Sequence, residues 1–164
     1  MIEKKQFLSL KSTKENIHQV EKFVEDICDE FNINNTYFGN ILVALTEALS
    51  NAIVHGNKND VNKDINITFE SKPIGLSFTI QDEGNGFDFN NIPDPTDLAV
   101  ELKNEEGRGI FLMKVLADEV NFLDNGKSIE LIFKISSINQ ELALDRIKQL
   151  QIFATEKNKK VEKL

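Results

Sequence analysis

Leu76-Ser77-Phe78-Thr79-Ile80-Gln81-Asp82-Glu83-Gly84-Asn85-Gly86-Phe87 runs from an alternating apolar strand into a carboxylate and two alternating glycines. Leu76, Phe78 and Ile80 share one face of the strand. Asp82 follows where the strand ends, so its carboxylate is fixed in direction. Gly84 and Gly86 let the backbone approach a flat ligand closely. An ionised carboxylate only accepts hydrogen bonds. It therefore takes one from the exocyclic amine of adenine and repels the carbonyl oxygen at the same place in guanine. Taken alone, a turn rich in Asp, Asn and Gly explains the pattern equally well.

Working outward, Ile65, Ile67 and Phe69 form the partner strand, and Pro73-Ile74-Gly75 turns between the two as an antiparallel hairpin. Further upstream, Phe7 and Ser9 alternate with Leu8 and Leu10 in a first strand over Lys5 to Lys11. Ser12, with Glu15 three positions later, reads as the cap of a helix from about Thr13 to Phe31, whose apolar face is Ile17, Val20, Val24, Ile27 and Phe31. A second helix carries Phe38, Ile41, Leu42, Leu45, Leu49, Ala52 and Ile53, with Gly56 as its left-handed terminator. It is the longest apolar helix and central to the core.

Downstream, the pattern dissolves from Phe87 to Glu106, a mobile segment of about twenty residues, which a small domain keeps only for use. Gly109 to Ala117 returns to helix. Val120 and Phe122 lead to a two-residue Asn125-Gly126 hairpin turn and a strand bearing Ile129, Leu131, Phe133 and Ile135. A last helix spans Asn139 to Phe153, before a solvated lysine-rich tail, Lys157 to Lys163. The order predicts an α+β, two-layer sandwich: a mixed, mostly antiparallel sheet with helices on one face. Residues 1–138 form the domain and 139–164 a C-terminal helix and charged tail.

Composition agrees with one domain, since 164 residues of 40% hydrophobic content suit a single core. A formal charge of −8 from 27 acidic and 19 basic residues disfavours a direct nucleic-acid partner. The single Cys28 makes no internal disulfide and reads as a small apolar core residue. With no apolar leader and no uninterrupted apolar run of membrane-spanning length, the chain is expected to be cytoplasmic and without a membrane partner. The twelve phenylalanines are spread over strands and helices as core filling.

Two further patches carry chemistry. Glu47, Asn51 and His55 are spaced i, i+4, i+8, a polar stripe on an otherwise apolar helix. Mg²⁺ takes oxygen ligands from one or two protein groups plus substrate phosphates, so the Asn51 amide oxygen is a candidate metal ligand. Glu47, one turn away, can orient a hydroxyl or water or accept its proton. His55 needs no role beyond a polar residue near a helix end, and a solvent-facing stripe is the plain alternative. Gly107-Arg108-Gly109 precedes Ile110 and Phe111, so free amides at a helix start can cradle phosphates, with Arg108 adding a charge-assisted contact to the terminal phosphate. Glu105 and Glu106 have no place beside a triphosphate unless they point away.

Glu47-x-x-x-Asn51, Asp82-x-Gly84-x-Gly86 and Gly107-x-Gly109 resemble the three boxes of the ATP-binding fold shared by histidine kinases, gyrase and mismatch-repair ATPases. More narrowly, residues 46–56 and 107–113 resemble the stand-alone anti-sigma-factor serine kinases of bacterial partner switching. The resemblance covers about Lys5 to Ser136. It implies ATP and Mg²⁺ as cofactors, with Asn51 on the metal, Glu47 as base near the γ-phosphate, Asp82 on adenine, and the glycine segment through Ile110 and Phe111 on phosphates. It also implies a sigma factor and an anti-anti-sigma antagonist as partners, and a homodimer. A phosphoacceptor helix and a transducer domain have no room here, and His18 lacks the setting of a phosphoacceptor. The expected activity is protein serine/threonine kinase. The alternative is a binding switch that uses ATP without turnover.

Overall fold

The computed structural model describes residues 3–86, 105–134 and 147–156. Strand β1 (Lys5–Lys11) leads through a short 3-10 turn to helix α1 (Ile17–Glu30), then to α2 (Asn35–Asn51), which continues as a π turn (Ala52–Gly56). The hairpin β2 (Asp64–Lys72) and β3 (Gly75–Gln81) follows, then α3 (Glu105–Leu116), β4 (Glu119–Leu123) and β5 (Ser128–Lys134). A fourth helix, α4, occupies 147–156. The strands lie in the order β1-β2-β3-β5-β4. Every ladder among the described residues is antiparallel, the antiparallel extreme of the expected sheet.

The alternation read in the sequence becomes two faces. Leu8, Leu10, Ile65, Ile67, Phe69, Leu76, Phe78, Ile80, Leu131 and Phe133 share one face of the register, and all but Leu8 are fully buried. Against them lie Val20, Val24 and Ile27 of α1 and Ile41, Ala44, Leu45, Ala48 and Leu49 of α2. Rings of Phe31, Phe69, Phe78 and Phe133 follow one another across this layer, with centroids 5.6, 5.1 and 6.2 Å apart. Phe7 departs from the core-filling expectation. It is 70% exposed on the opposite face, under the Lys5 ammonium.

Helix starts were only partly legible. Asn34 caps α2, its Oδ1 accepting from the Thr36 and Tyr37 N–H groups at 2.8 and 3.2 Å. Ser12 does not cap α1. Its N–H donates to the Lys63 carbonyl at 3.0 Å, which draws the residue inward, and its hydroxyl is buried without a hydrogen bond. The Asn125-Gly126 turn is wider than a two-residue hairpin, since 124–127 separate β4 from β5. Asp124, Asn125 and Gly126 all adopt positive φ (52°, 56° and 86°).

The helix Asn35–Gly56 is long and apolar enough by length and composition to cross a membrane, although Glu47, Asn51 and His55 interrupt its apolar run, as read from the sequence. Ile41, Ala44, Leu45, Ala48, Leu49, Ala52 and Ile53 of that helix lie in the core, while Val43 is 44% exposed. The segment read from Phe87 to Glu106 lies outside the described residues as far as 104, as do Ile135 of the expected last strand, residues 139–146 of the expected last helix and the tail from 157.

Candidate functional site

At Asn51 the hydrogen-bond pattern of α2 changes. The Asn57 N–H donates to the Ala52 carbonyl at 2.8 Å, an i→i+5 bond that closes the π turn. Such widened turns gather at functional sites. Gly56 is not the left-handed terminator expected from the sequence. Positive φ falls later, at Lys58 and Asn59 (53° and 60°). Gly56 is glycine for another reason: a Cβ there would lie 2.3 Å from Asp82 Oδ2.

Asp82 is half-buried against that glycine, one residue past the end of β3. Its N–H donates to the Lys127 carbonyl at 3.0 Å, and its Oδ1 accepts from the Gly84 N–H at 2.8 Å. Burial pushes its carboxyl above the ordinary value; the Gly84 N–H and the charges of Lys127 and Lys63 pull the other way. Gly84 has no room for a side chain, because a Cβ would sit 2.0 Å from the Gly56 carbonyl oxygen. Gly86 combines φ of 83° with a would-be Cβ 2.0 Å from the Asn125 carbonyl oxygen, so only glycine fits.

Asp82 opens on a small pocket of about 10 Å³, room for about one water molecule. Asn51, His55 and Asp82 supply its polar groups, and Ala48, Ala52, Ile80 and Ile129 its apolar walls. Gly86 and Gly126 complete the lining. Sequence reasoning missed Gly126 and Ile129, which it assigned to a hairpin alone. The Lys127 carbonyl bonded to Asp82 shows why they belong: the turn between β4 and β5 lies against the end of β3.

The second glycine pair reaches the same place from the other side. A Cβ on Gly109 would lie 2.9 Å from Glu47 Oε2 and 3.5 Å from Asn51 Oδ1, so α3 packs directly on the polar stripe of α2. Arg108 is exposed. The expected helix start is displaced. The helix begins at Glu105, so Gly107 and Gly109 lie inside it, and the amides of Gly109, Ile110 and Phe111 point at carbonyls one turn back. Ile110 is also committed to the core, at 2% exposure.

The donor set fits a magnesium nucleotide and not a metal held by protein alone. No cluster of three or more His, Cys, Asp or Glu side chains suited to a metal occurs among the described residues. Among the described residues Asn51 Nδ2 is buried without a hydrogen-bond partner, a donor that calls for an acceptor such as a phosphate oxygen and not for a cation. An amide beside a carboxylate, under a glycine and facing a cavity, matches a cation that draws its remaining ligands from phosphates and water.

The chain belongs to the histidine kinase-like ATPase domain family, matched over residues 10–133, and its antiparallel α+β sandwich agrees with that class. It is 35% identical over 83 residues to Serine-protein kinase RsbW of Bacillus subtilis strain 168, covering 48% of this chain and 52% of that one. It is 32% identical over 96 residues to Serine-protein kinase RsbW of Staphylococcus aureus strain JH9, covering 54% and 60%. The chain thus spans a little over half the length of the curated relatives it matches. Among solved structures, the RsbU and RsbW domains of a Mycobacterium tuberculosis protein superpose with a TM-score of 0.55 at 14% identity, covering 80% of this chain and 32% of that one. That likeness is one of fold.

Proposed function

We propose that this chain is an ATP-binding anti-sigma regulator with protein serine/threonine kinase activity, which phosphorylates an anti-anti-sigma antagonist and sequesters a sigma factor. It acts as a cytoplasmic homodimer without direct contact to nucleic acid or membrane. The observation that supports this most is the approach of Gly109 to Glu47 and Asn51, while Asn51 shares its cavity with Asp82. Three patches far apart in sequence thereby meet at one place. Residues 1–138 are the nucleotide-handling unit, and 139–164 carry no assigned role.

In this reading Asp82 accepts from the adenine amine, with Gly84 and Gly86 admitting the ring, and Asn51 holds Mg²⁺. The ion, when bound, neutralises charge on the phosphates. The first turn of α3, around Gly107, and the Arg108 guanidinium steady the terminal phosphate. Glu47 aligns the target hydroxyl and takes its proton as the oxygen bonds to the γ-phosphorus and the bond to the β–γ bridging oxygen breaks. Phosphoryl transfer has a loose transition state, so positioning and charge neutralisation suffice for most of the catalysis.

Incubation with Mg-ATP and the cognate antagonist is expected to yield phosphoserine or phosphothreonine on the antagonist. Binding of ATP with no transfer would remove the kinase. Glu47→Gln separates the kinase from an ATP-controlled switch. It should leave ATP affinity within about threefold and lower transfer by about 10²-fold or more, the scale of a lost general base. A switch without turnover would regulate its partner unchanged.

A further inference from the structure

Asn57 is fully buried, yet it lies one residue beyond the π turn and outside all three glycine- and carboxylate-bearing patches. Its carboxamide is spent on two backbone groups of the sheet. Oδ1 accepts from the Glu83 N–H at 2.8 Å, and Nδ2 donates to the Asp64 carbonyl at 3.1 Å. The last β2–β3 pair is Asn66 with Gln81, and continuing that antiparallel register would set Ile65 opposite Asp82 and Asp64 opposite Glu83. A direct rung between Asp64 and Glu83 is therefore replaced by a side-chain amide inserted between them. The strands part by one amide at the point where Asp82 leaves the sheet. The Asp64 N–H, also without a rung, donates to Glu83 Oε2 at 2.6 Å.

We propose that Asn57 is the positioning residue of the adenine-reading carboxylate, splitting the β2–β3 ladder so that Asp82 turns off the sheet and lies against Gly56. The proposal rests on the assignment of Asp82 to the base. The π turn and the residue after it then have two uses. Gly56 supplies the surface on which the carboxylate rests, and Asn57 holds the residue that follows Asp82. With Gln81 in the ladder, the Asp82 N–H on Lys127 and the Glu83 N–H on Asn57, the backbone on both sides of the carboxylate is tied. An amide is needed because one end must accept and the other donate. Aspartate would set a lone pair against the Asp64 carbonyl, and leucine would leave both backbone groups without a partner.

The test is a chemical cycle in the full chain. Wild type, Asn57→Leu and Asn57→Asp are titrated calorimetrically with Mg-ATP and with Mg-purine riboside triphosphate, which lacks the exocyclic amine. Wild type should prefer ATP by about tenfold or more, the worth of a hydrogen bond to a charged group. Both variants should lose most of that preference through weaker ATP binding, with the amine-free nucleotide changed by less than about threefold. A residue that merely held the loop together would weaken both nucleotides alike and keep the preference, and that result overturns the proposal. Should Asn57→Leu fail to fold, the Asn57→Asp ratio decides, together with hydrogen exchange of the wild-type protein. The Glu83 amide should exchange as slowly as its ladder neighbours, and rapid exchange overturns the proposal. A wild type that binds neither nucleotide, or binds both equally, sinks the adenine assignment itself; a preference retained in the variants sinks only the role of Asn57.

Discussion

Asp82, the residue proposed to read adenine, is held at the expense of the free protein. Burial raises its carboxyl above the ordinary value near 3.8, so folding favours the protonated form. Its contribution to stability is full below that value and is lost as pH rises through the raised folded value. Near neutral pH the carboxylate thus costs stability that a neutral side chain would not. Asp82→Asn is expected to raise the melting temperature of the nucleotide-free protein at pH 7, with a smaller gain in acid, and to weaken ATP binding by about tenfold or more. A melting curve lowered at both pH values would contradict this account.

Gly109 is the counterpart on the side proposed to hold the phosphates. A methyl group there would meet the end of the flexible Glu47 side chain at 2.9 Å, and such a contact is relieved by moving the carboxylate. Alanine also gains about 0.5–1 kcal/mol in a helix interior. Gly109→Ala should therefore leave thermal stability nearly unchanged while transfer falls about tenfold or more, because a misplacement of an ångström at a reacting group is costly. Melting temperature and single-turnover transfer measured on one preparation separate the two effects.

Among the elements, the strands were the most legible and the ends of the helices the least. Period-two alternation alone marks Leu76, Phe78 and Ile80, because they share the face of the sheet on which α1 and α2 pack. The π turn leaves no such trace. Ala52, Ile53 and Gly56 fit an apolar helix whether the bonds run to i+4 or i+5, and only the Asn57 N–H on the Ala52 carbonyl distinguishes the two. The same blindness displaced the start of α3. Gly107 and Gly109 look like helix breakers, yet packing on Glu47 and Asn51 holds them inside the helix. Asn57 was invisible because its partners, Asp64 and Glu83, are brought to it only by the hairpin.

The opposite face of the sheet has its own polar centre. Glu130 accepts from Lys72 Nζ at 2.6 Å, Ser77 Oγ at 2.7 Å and Asn121 Nδ2 at 3.2 Å, tying β2, β3, β4 and β5 across three ladders. Burial raises its carboxyl, but these donors and the Lys72 charge outweigh it and hold the group below the ordinary 4.5. The stabilisation is present above that value and is lost as pH falls through the depressed folded value. Glu130→Ala strands the Ser77 hydroxyl, which is 2% exposed, and should cost about 1–3 kcal/mol in urea unfolding at pH 7. The difference should shrink as the solution is acidified through the carboxylate range.

For the molecule as a whole, the nucleotide would join parts that the bare protein holds only by packing. The cavity is walled by α2, the π turn, β3 and the β4–β5 turn, while α3 reaches it through Gly109. A ligand bound there stabilises the folded chain by RT ln(1 + [L]/Kd), about 2.7 kcal/mol at a hundredfold excess over Kd. For a chain of this length each kcal/mol is worth roughly 2–4 °C, so saturating Mg-ATP should raise the melting temperature by about 5–11 °C. Chelating the metal should remove much of the shift, because the phosphates would then face Glu47 with no cation between them. In Asp82→Asn the shift at the same ATP concentration should fall by several degrees, even though its bare melting temperature rises. These opposite signs tie base recognition to the cavity: an ATP shift as large in Asp82→Asn as in wild type would place the adenine elsewhere on the protein.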